Sequence, residues 1–224
     1  MTLSRKLAAE FLGTAALLAV VVGSGIMGER LADGNAAVAL LGNSIATGAG
    51  LIFLIYGFGG ISGAHFNPAV SLVEVFGGGL SLKNGILYSA SQFLGAIVGV
   101  VIANLMFALP AINLSTKTRT GPDQYLGEFV ATFGLIGVIR LGVKFHPNLV
   151  GAMVACYITA AYWFTSSTSF ANPAVTVARS LSNTFAGIAP ESVPMFIVSQ
   201  LAGATAAMIV FNWLLALDIN EENF

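Results

Sequence analysis

Asn67 and Asn172 each stand directly before Pro-Ala-Val. Asparagine is among the best N-cap residues, because its side-chain oxygen accepts from a free backbone N–H. Proline suits the next position, where its missing N–H costs nothing. Each Asn-Pro therefore reads as the start of a helix, and a helix start carries free N–H groups and a partial positive charge. The two asparagine amides bring further N–H donors to the same places. Other polar groups inside apolar stretches are few, chiefly Glu10, Glu128 and His65. No metal-ligating cluster and no nucleophile–base spacing is present in the sequence. The reading is of a protein that is not an enzyme and takes no metal and no cofactor.

The surroundings of these residues are apolar. Of 224 residues, 56% are hydrophobic and 8% charged, against about 25% charged in soluble domains. With a mean hydropathy of +0.86, the chain reads as an all-α integral membrane protein in a lipid bilayer. The net charge of −1 speaks against a nucleic-acid partner. A lone cysteine, Cys156, gives no internal disulfide. The apolar stretch at 7–28 follows Arg5 and Lys6 as in a signal peptide, but it is long enough to span, contains Glu10 and lacks a clear cleavage site.

Six segments have spanning length, at 7–28, 36–57, 84–108, 124–144, 147–166 and 192–217. Two shorter apolar pieces, 68–77 and 173–182, each begin at an Asn-Pro-Ala. The halves match: AEFLGT (Ala9–Thr14) with GEFVAT (Gly127–Thr132), and SQFLGA (Ser91–Ala96) with SQLAGA (Ser199–Ala204). The chain is thus one domain, 1–224, made of a first repeat, 1–110, and a second, 111–224. Three spans per half turn the second copy upside down. The fold expected is six transmembrane helices with two re-entrant half-helices in an inverted 3+3 repeat. Short interrupted segments at matching places point to a pathway near the midplane. Both positive helix ends would face that passage, an obstacle to protons and cations. A cytoplasmic N-terminus puts Arg5, Lys6, Lys83, Arg140 and Lys144 inside and Arg30, Lys117, Arg119 and Arg179 outside, which agrees with the positive-inside rule by one residue.

With SGAHFNPAV at Ser62–Val70, the doubled motif Asn67-Pro68-Ala69 and Asn172-Pro173-Ala174, and the Ala-Glu-Phe opening, the sequence resembles the major intrinsic protein family of aquaporins and aquaglyceroporins over nearly its whole length. The resemblance implies a homotetramer with one pore per subunit, in the cell (inner) membrane, with both termini cytoplasmic. It also implies a filter of four positions. Counted without gaps from the two asparagines, these are Thr47, Ala160, Ser169 and Val175. Most of the family has arginine where this chain has Val175, and an arginine would bring five donors and a fixed charge. A small, uncharged set implies a wider filter. In this the chain is similar to a bacterial group of aquaglyceroporins linked to arsenic resistance, the AqpS type, which implies passage of neutral arsenite and of methylated arsenicals.

The expected function is a passive channel for small uncharged solutes: water, glycerol-like molecules and metalloids. The alternatives are a plain water channel and, from another class, a proton-coupled transporter with Glu10, Glu128 or His65 as its relay. Glu10 and Glu128 fit better as scaffold groups accepting from backbone N–H groups of the loops before the short helices. His65 reads as pore lining or as a loop anchor. Carbonyls of Gly63, Ala64 and His65, and of Ser167, Thr168 and Ser169, offer acceptors to a solute. Arg179, one helical turn beyond Val175, reads equally as a charge at the outer pore mouth or as a snorkelling arginine or a partner for Glu191.

Overall fold

A bilayer gives the backbone no partner but itself, so long apolar runs must close their hydrogen bonds as helices. The computed structural model describes residues 1–216. The helices are α1 (Leu3–Leu31), α2 (Ala36–Ser62), α3 (Pro68–Phe76), α4 (Leu82–Met106), α5 (Pro122–Phe145), α6 (Val150–Phe164), α7 (Pro173–Arg179) and α8 (Val193–Leu214). Among the described residues the one β feature is an isolated bridge between Asn113 and Ser182.

Five segments are long and apolar enough to cross a membrane: α1, α2, α4, α5 and Pro190–Leu214. The span expected at 147–166 takes a shorter form. Pro147 opens a 3-10 turn, Pro147–Leu149, and α6 itself has 15 residues. Its end is set at Thr165, which turns extended and leads the chain back inward. The pieces expected at 68–77 and 173–182 are the half-helices α3, nine residues, and α7, seven residues.

Packing repeats between the halves. α1 packs on α4 and α2, and α5 packs likewise on α8 and α6. α3 lies on α4 and α7 on α8, and the halves join where α2 meets α6, α7 meets α4, α3 meets α8 and the two half-helices meet each other. Two glycines at matching places permit close approaches. Gly95 of α4 lies against the Phe11 carbonyl of α1, and Gly203 of α8 against the Phe129 carbonyl of α5. Small residues at such crossings let membrane helices touch through their backbones.

The face where α1 begins is here the near face, and the opposite one the far face. On the far face the loop 107–121 joins the halves and folds onto the end of α7. Asn113 N–H donates to the Leu181 carbonyl at 3.0 Å, Ser115 N–H to Ser180 at 2.9 Å, and Ala189 N–H to Lys117 at 2.8 Å.

Because the atoms facing Gly95 and Gly203 are backbone and cannot yield, Gly95→Val and Gly203→Val should each destabilise the protein by about 3 kcal/mol. The check is a lowered melting temperature and loss of the monodisperse peak in detergent.

Candidate functional site

The two Asn-Pro pairs do start helices, and the same side chains also join the halves. The Asn67 Oδ1 accepts from the Ala69 N–H at 2.9 Å. The Asn172 Oδ1 accepts from Ala174 at 3.0 Å and Val175 at 3.3 Å. Each amide nitrogen then reaches across: Asn67 Nδ2 donates to the Ala171 carbonyl at 2.7 Å, and Asn172 Nδ2 to the Phe66 carbonyl at 2.8 Å. Every asparagine thus caps its own half-helix and ties the opposite loop. An amide carries two hydrogens, so each retains one for another acceptor.

The loops that deliver the asparagines run through left-handed backbone. Ala64, Phe66, Ser169 and Ala171 have φ between 49 and 51°, and Thr168 has 62°. Such a conformation costs roughly 1–2 kcal/mol per residue for an L-amino acid, so something must hold it. Glu10 accepts from the N–H of His65 at 3.0 Å and of Phe66 at 2.7 Å, from Ser62 Oγ at 2.6 Å and from Gln92 Nε2 at 2.8 Å. Glu128 does the same in the second half, accepting from Phe170 at 2.8 Å, Ala171 at 2.9 Å and Gln200 Nε2 at 2.6 Å. Both carboxylates are fully buried. By drawing the N–H groups outward they leave the loop carbonyls free to face inward; no donor among the described residues bonds those of Gly63, Ala64 and His65.

A cavity of about 300 Å³ runs between the loops and the long helices. The helices line it in stripes of four-residue spacing: Thr47, Leu51 and Ile55 from α2, Leu135, Ile139 and Val143 from α5, Val150, Val154, Ile158 and Tyr162 from α6. Residues four apart share a helix face, so this wall is mostly apolar. The facing wall is polar and comes from Gly63, Ala64, His65, Asn67, Ser169 and Asn172. His65 lines the cavity, and its Nδ1 lies 3.0 Å from Ser71 Oγ.

Of the four filter positions, Thr47, Ser169 and Val175 line the cavity and Ala160 does not. Ala160 is exposed on the outer face of α6 beside Cys156, one turn earlier and also exposed. The cavity side chain is Tyr162, two residues on, which at 100° per residue is the opposite face. Its hydroxyl lies 3.3 Å from Thr47 Oγ1, bridging α6 to α2. Ser169 Oγ is buried and has no partner among the described residues, a polar atom left for a solute. Pro68, Ala69, Pro173 and Ala174 are buried behind the asparagines, where they shape the half-helix starts.

Toward the far face the second loop departs from the expected acceptor series. Ser167 is fully buried and its carbonyl accepts from Arg119 Nη1 at 3.1 Å. Neither Ser167 nor Thr168 lines the cavity. Arg119, which the sequence did not single out, also donates from Nε to the Gly187 carbonyl at 3.0 Å. Arg179 is 2% exposed and lines the cavity, so it neither snorkels nor rests on Glu191. Its Nε bonds the Ala186 carbonyl and its guanidinium lies 3.4 Å from the centroid of the Phe170 ring. Lys117 donates to the Phe185 carbonyl at 2.9 Å. Partial burial, with Arg119 and Arg179 close by, pulls the Lys117 ammonium down to about 8, and burial lowers Arg119 to about 10.

The family model described as Major intrinsic protein matches residues 1–161. The chain is 52% identical over 213 residues to a protein named Aquaglyceroporin AqpS from Rhizobium meliloti (strain 1021), covering 95% of this chain and 91% of that one. It is 33% identical over 181 residues to a probable aquaporin TIP-type of Medicago truncatula, covering 75% and 71% of the two. In fold it is similar to the X-ray structure of the aquaglyceroporin from Plasmodium falciparum, with a TM-score of 0.73, 20% identity and coverage of 96% and 98%.

The exchange of Ala160 for Tyr162 on the cavity wall has a direct test. Tyr162→Ala should raise the flux of four- and five-carbon polyols into proteoliposomes severalfold. Ala160→Phe, on the outer face, should leave the size limit where it is. A size limit that responds to residue 160 and ignores residue 162 contradicts the placement.

Proposed function

The chain belongs to the major intrinsic protein family, whose members are channels and not enzymes, and from that premise we propose that it is a passive aquaglyceroporin-type channel for uncharged solutes up to at least glycerol in size. The observation that carries the reading is the set Thr47, Tyr162, Ser169 and Val175 on the cavity wall. None of the four carries a formal charge. Val175 is short, and the Ser169 hydroxyl has no partner among the described residues. A polyol has the matching two-sided character. Its hydroxyls suit the carbonyls of Gly63, Ala64 and His65, and its carbon edge suits Leu51, Val154 and Ile158. Water alone would gain nothing from so long an apolar stripe.

Arsenite at neutral pH is a neutral trihydroxy species of roughly glycerol-like shape, so the same wall admits it and, by extension, methylated arsenicals. The likeness to a protein named Aquaglyceroporin AqpS supports this solute class. The proton-coupled reading is disfavoured, because Glu10 and Glu128 are occupied in equivalent places by backbone N–H groups and have no slack for a relay. We place the protein in the inner membrane as a homotetramer, each subunit with its own pore and with the near face, bearing Arg5, Lys6, Lys83, Arg140 and Lys144, on the cytoplasmic side.

Stopped-flow light scattering on proteoliposomes tests the reading: water, glycerol and urea should all pass well above the empty-liposome rate, without saturation or pH dependence. Fast water with exclusion of every larger solute contradicts it. Val175→Arg should cut glycerol and arsenite flux by roughly tenfold while reducing water flux less, since a guanidinium fills the passage and adds a charge. Val175→Ala should keep or raise both. Arsenite uptake that ignores Val175→Arg at equal protein density removes residue 175 from the constriction.

A further inference from the structure

Arg179 is a buried cation at a pore wall, and its surroundings are unusual for one. No carboxylate among the described residues forms a salt bridge with it; its bonded partner is the Ala186 carbonyl, through Nε. The terminal guanidinium nitrogens make no hydrogen bond among the described residues and are not among the buried unpartnered atoms, so they are open to the cavity. The plane is held by the Phe170 ring at 3.4 Å. A second guanidinium, Arg119, approaches the same ring at 5.0 Å but stays off the cavity wall, pinned by the carbonyls of Gly187 and Ser167. Phe170 is itself packed edge-on against Phe196, at 5.3 Å between centroids and 78° between planes. The aromatic ring therefore has no freedom to move aside, and neither has the arginine stacked on it.

We propose that Arg179, clamped on Phe170 and backed by Arg119, is the fixed charge that bars protons and other cations from this pore, set beside the passage so that it does not narrow it. The physics is that of a unit charge at a low-dielectric wall. A permeating cation meets repulsion that bulk water would screen, whereas a neutral solute does not. The half-helix ends alone are a weaker source, each worth roughly half a charge. The bond to Ala186 and the stack on Phe170 fix where the long side chain lies. Charge and width, which a single arginine at residue 175 would couple, are here assigned to different places. Phe170 is a positioning residue: whatever else passes it on the cavity wall, its part in the barrier is to hold the guanidinium.

The inference rests on the neutral-solute pore described above, and one assay separates the two. Liposomes loaded with a pH-sensitive dye are given an inward proton-motive potential with potassium and valinomycin, and glycerol uptake is measured on the same preparation. Wild-type protein should pass glycerol and acidify no faster than empty liposomes. Arg179→Gln should raise the proton leak by roughly tenfold or more, glycerol still passing, while Arg179→Lys, which keeps the charge, should stay tight. Arg179→Gln vesicles that pass glycerol and remain proton-tight overturn the inference and leave the pore reading standing. Wild-type vesicles that pass no glycerol overturn the pore reading instead. If Arg179→Gln does not assemble, Arg119→Gln in the same assay decides: an increased leak supports the pair as the barrier, and an unchanged leak overturns it.

Discussion

Two hydrogen bonds at the centre of the protein hold the rest in place: Asn67 to the Ala171 carbonyl and Asn172 to the Phe66 carbonyl. Each half-helix start is capped from its own side and tied from the other, so neither loop takes its shape without its counterpart. In a membrane interior an unmet backbone carbonyl or side-chain amide costs several kcal/mol, which makes this exchange hard to break. The strained left-handed residues before each asparagine follow from it, because only that backbone brings the carbonyls of Phe66 and Ala171 to the opposite amide. Glu10 and Glu128 then become necessary as acceptors for the N–H groups those turns leave behind.

From this knot the two walls of the pore acquire different duties. The loop wall is polar and rigid, since its N–H groups are spent on buried carboxylates and its carbonyls are left over. The helix wall is apolar and regular, with one residue in four facing the passage. The inverted repeat makes the frame symmetric, but the contents are not. In the first half Gly63, Ala64 and His65 line the cavity. In the second half Ser169, Phe170 and Ala171 line it at the places of Ala64, His65 and Phe66, whereas Thr168, at the place of Gly63, does not, and the Ser167 carbonyl before it is taken by Arg119. Asymmetry of that kind gives one end of the pathway a hydroxyl, a phenol and a cation, and leaves the other end to His65 and Glu74.

The frame was legible in the sequence because its causes are local. Asn-Pro is a helix start wherever it occurs, and the matched AEFLGT and GEFVAT, SQFLGA and SQLAGA, fix the repeat without any three-dimensional information. What the sequence could not supply was rotation. On α6 the pore face and the lipid face are both apolar, so nothing in AAYWF says which residue turns inward. A gap-free count from Asn172 landed on Ala160, while the helix phase set by Val150, Val154 and Ile158 selects Tyr162. Arg119 was missed for a different reason. It lies in a polar connecting loop whose path over α7 depends on distant partners, Leu181, Gly187 and Ser167, and no periodicity signals it. Arg179 was noticed from its spacing, but its environment came only with Phe170 and Ala186.

The central claim is that side chains from both halves enclose one passage, and cysteine block tests it most directly. The chain has one native cysteine, Cys156, exposed on the outer face of α6, so mercury(II) should leave wild-type glycerol flux intact. Leu51→Cys, from the first half, and Ile158→Cys, from the second, each put a thiol on the cavity wall without touching the asparagines or the carboxylates. Both variants should conduct before treatment and lose glycerol and water flux together on mercury(II), with recovery by reducing agent. A variant from either half that binds mercury and goes on conducting would contradict a shared passage.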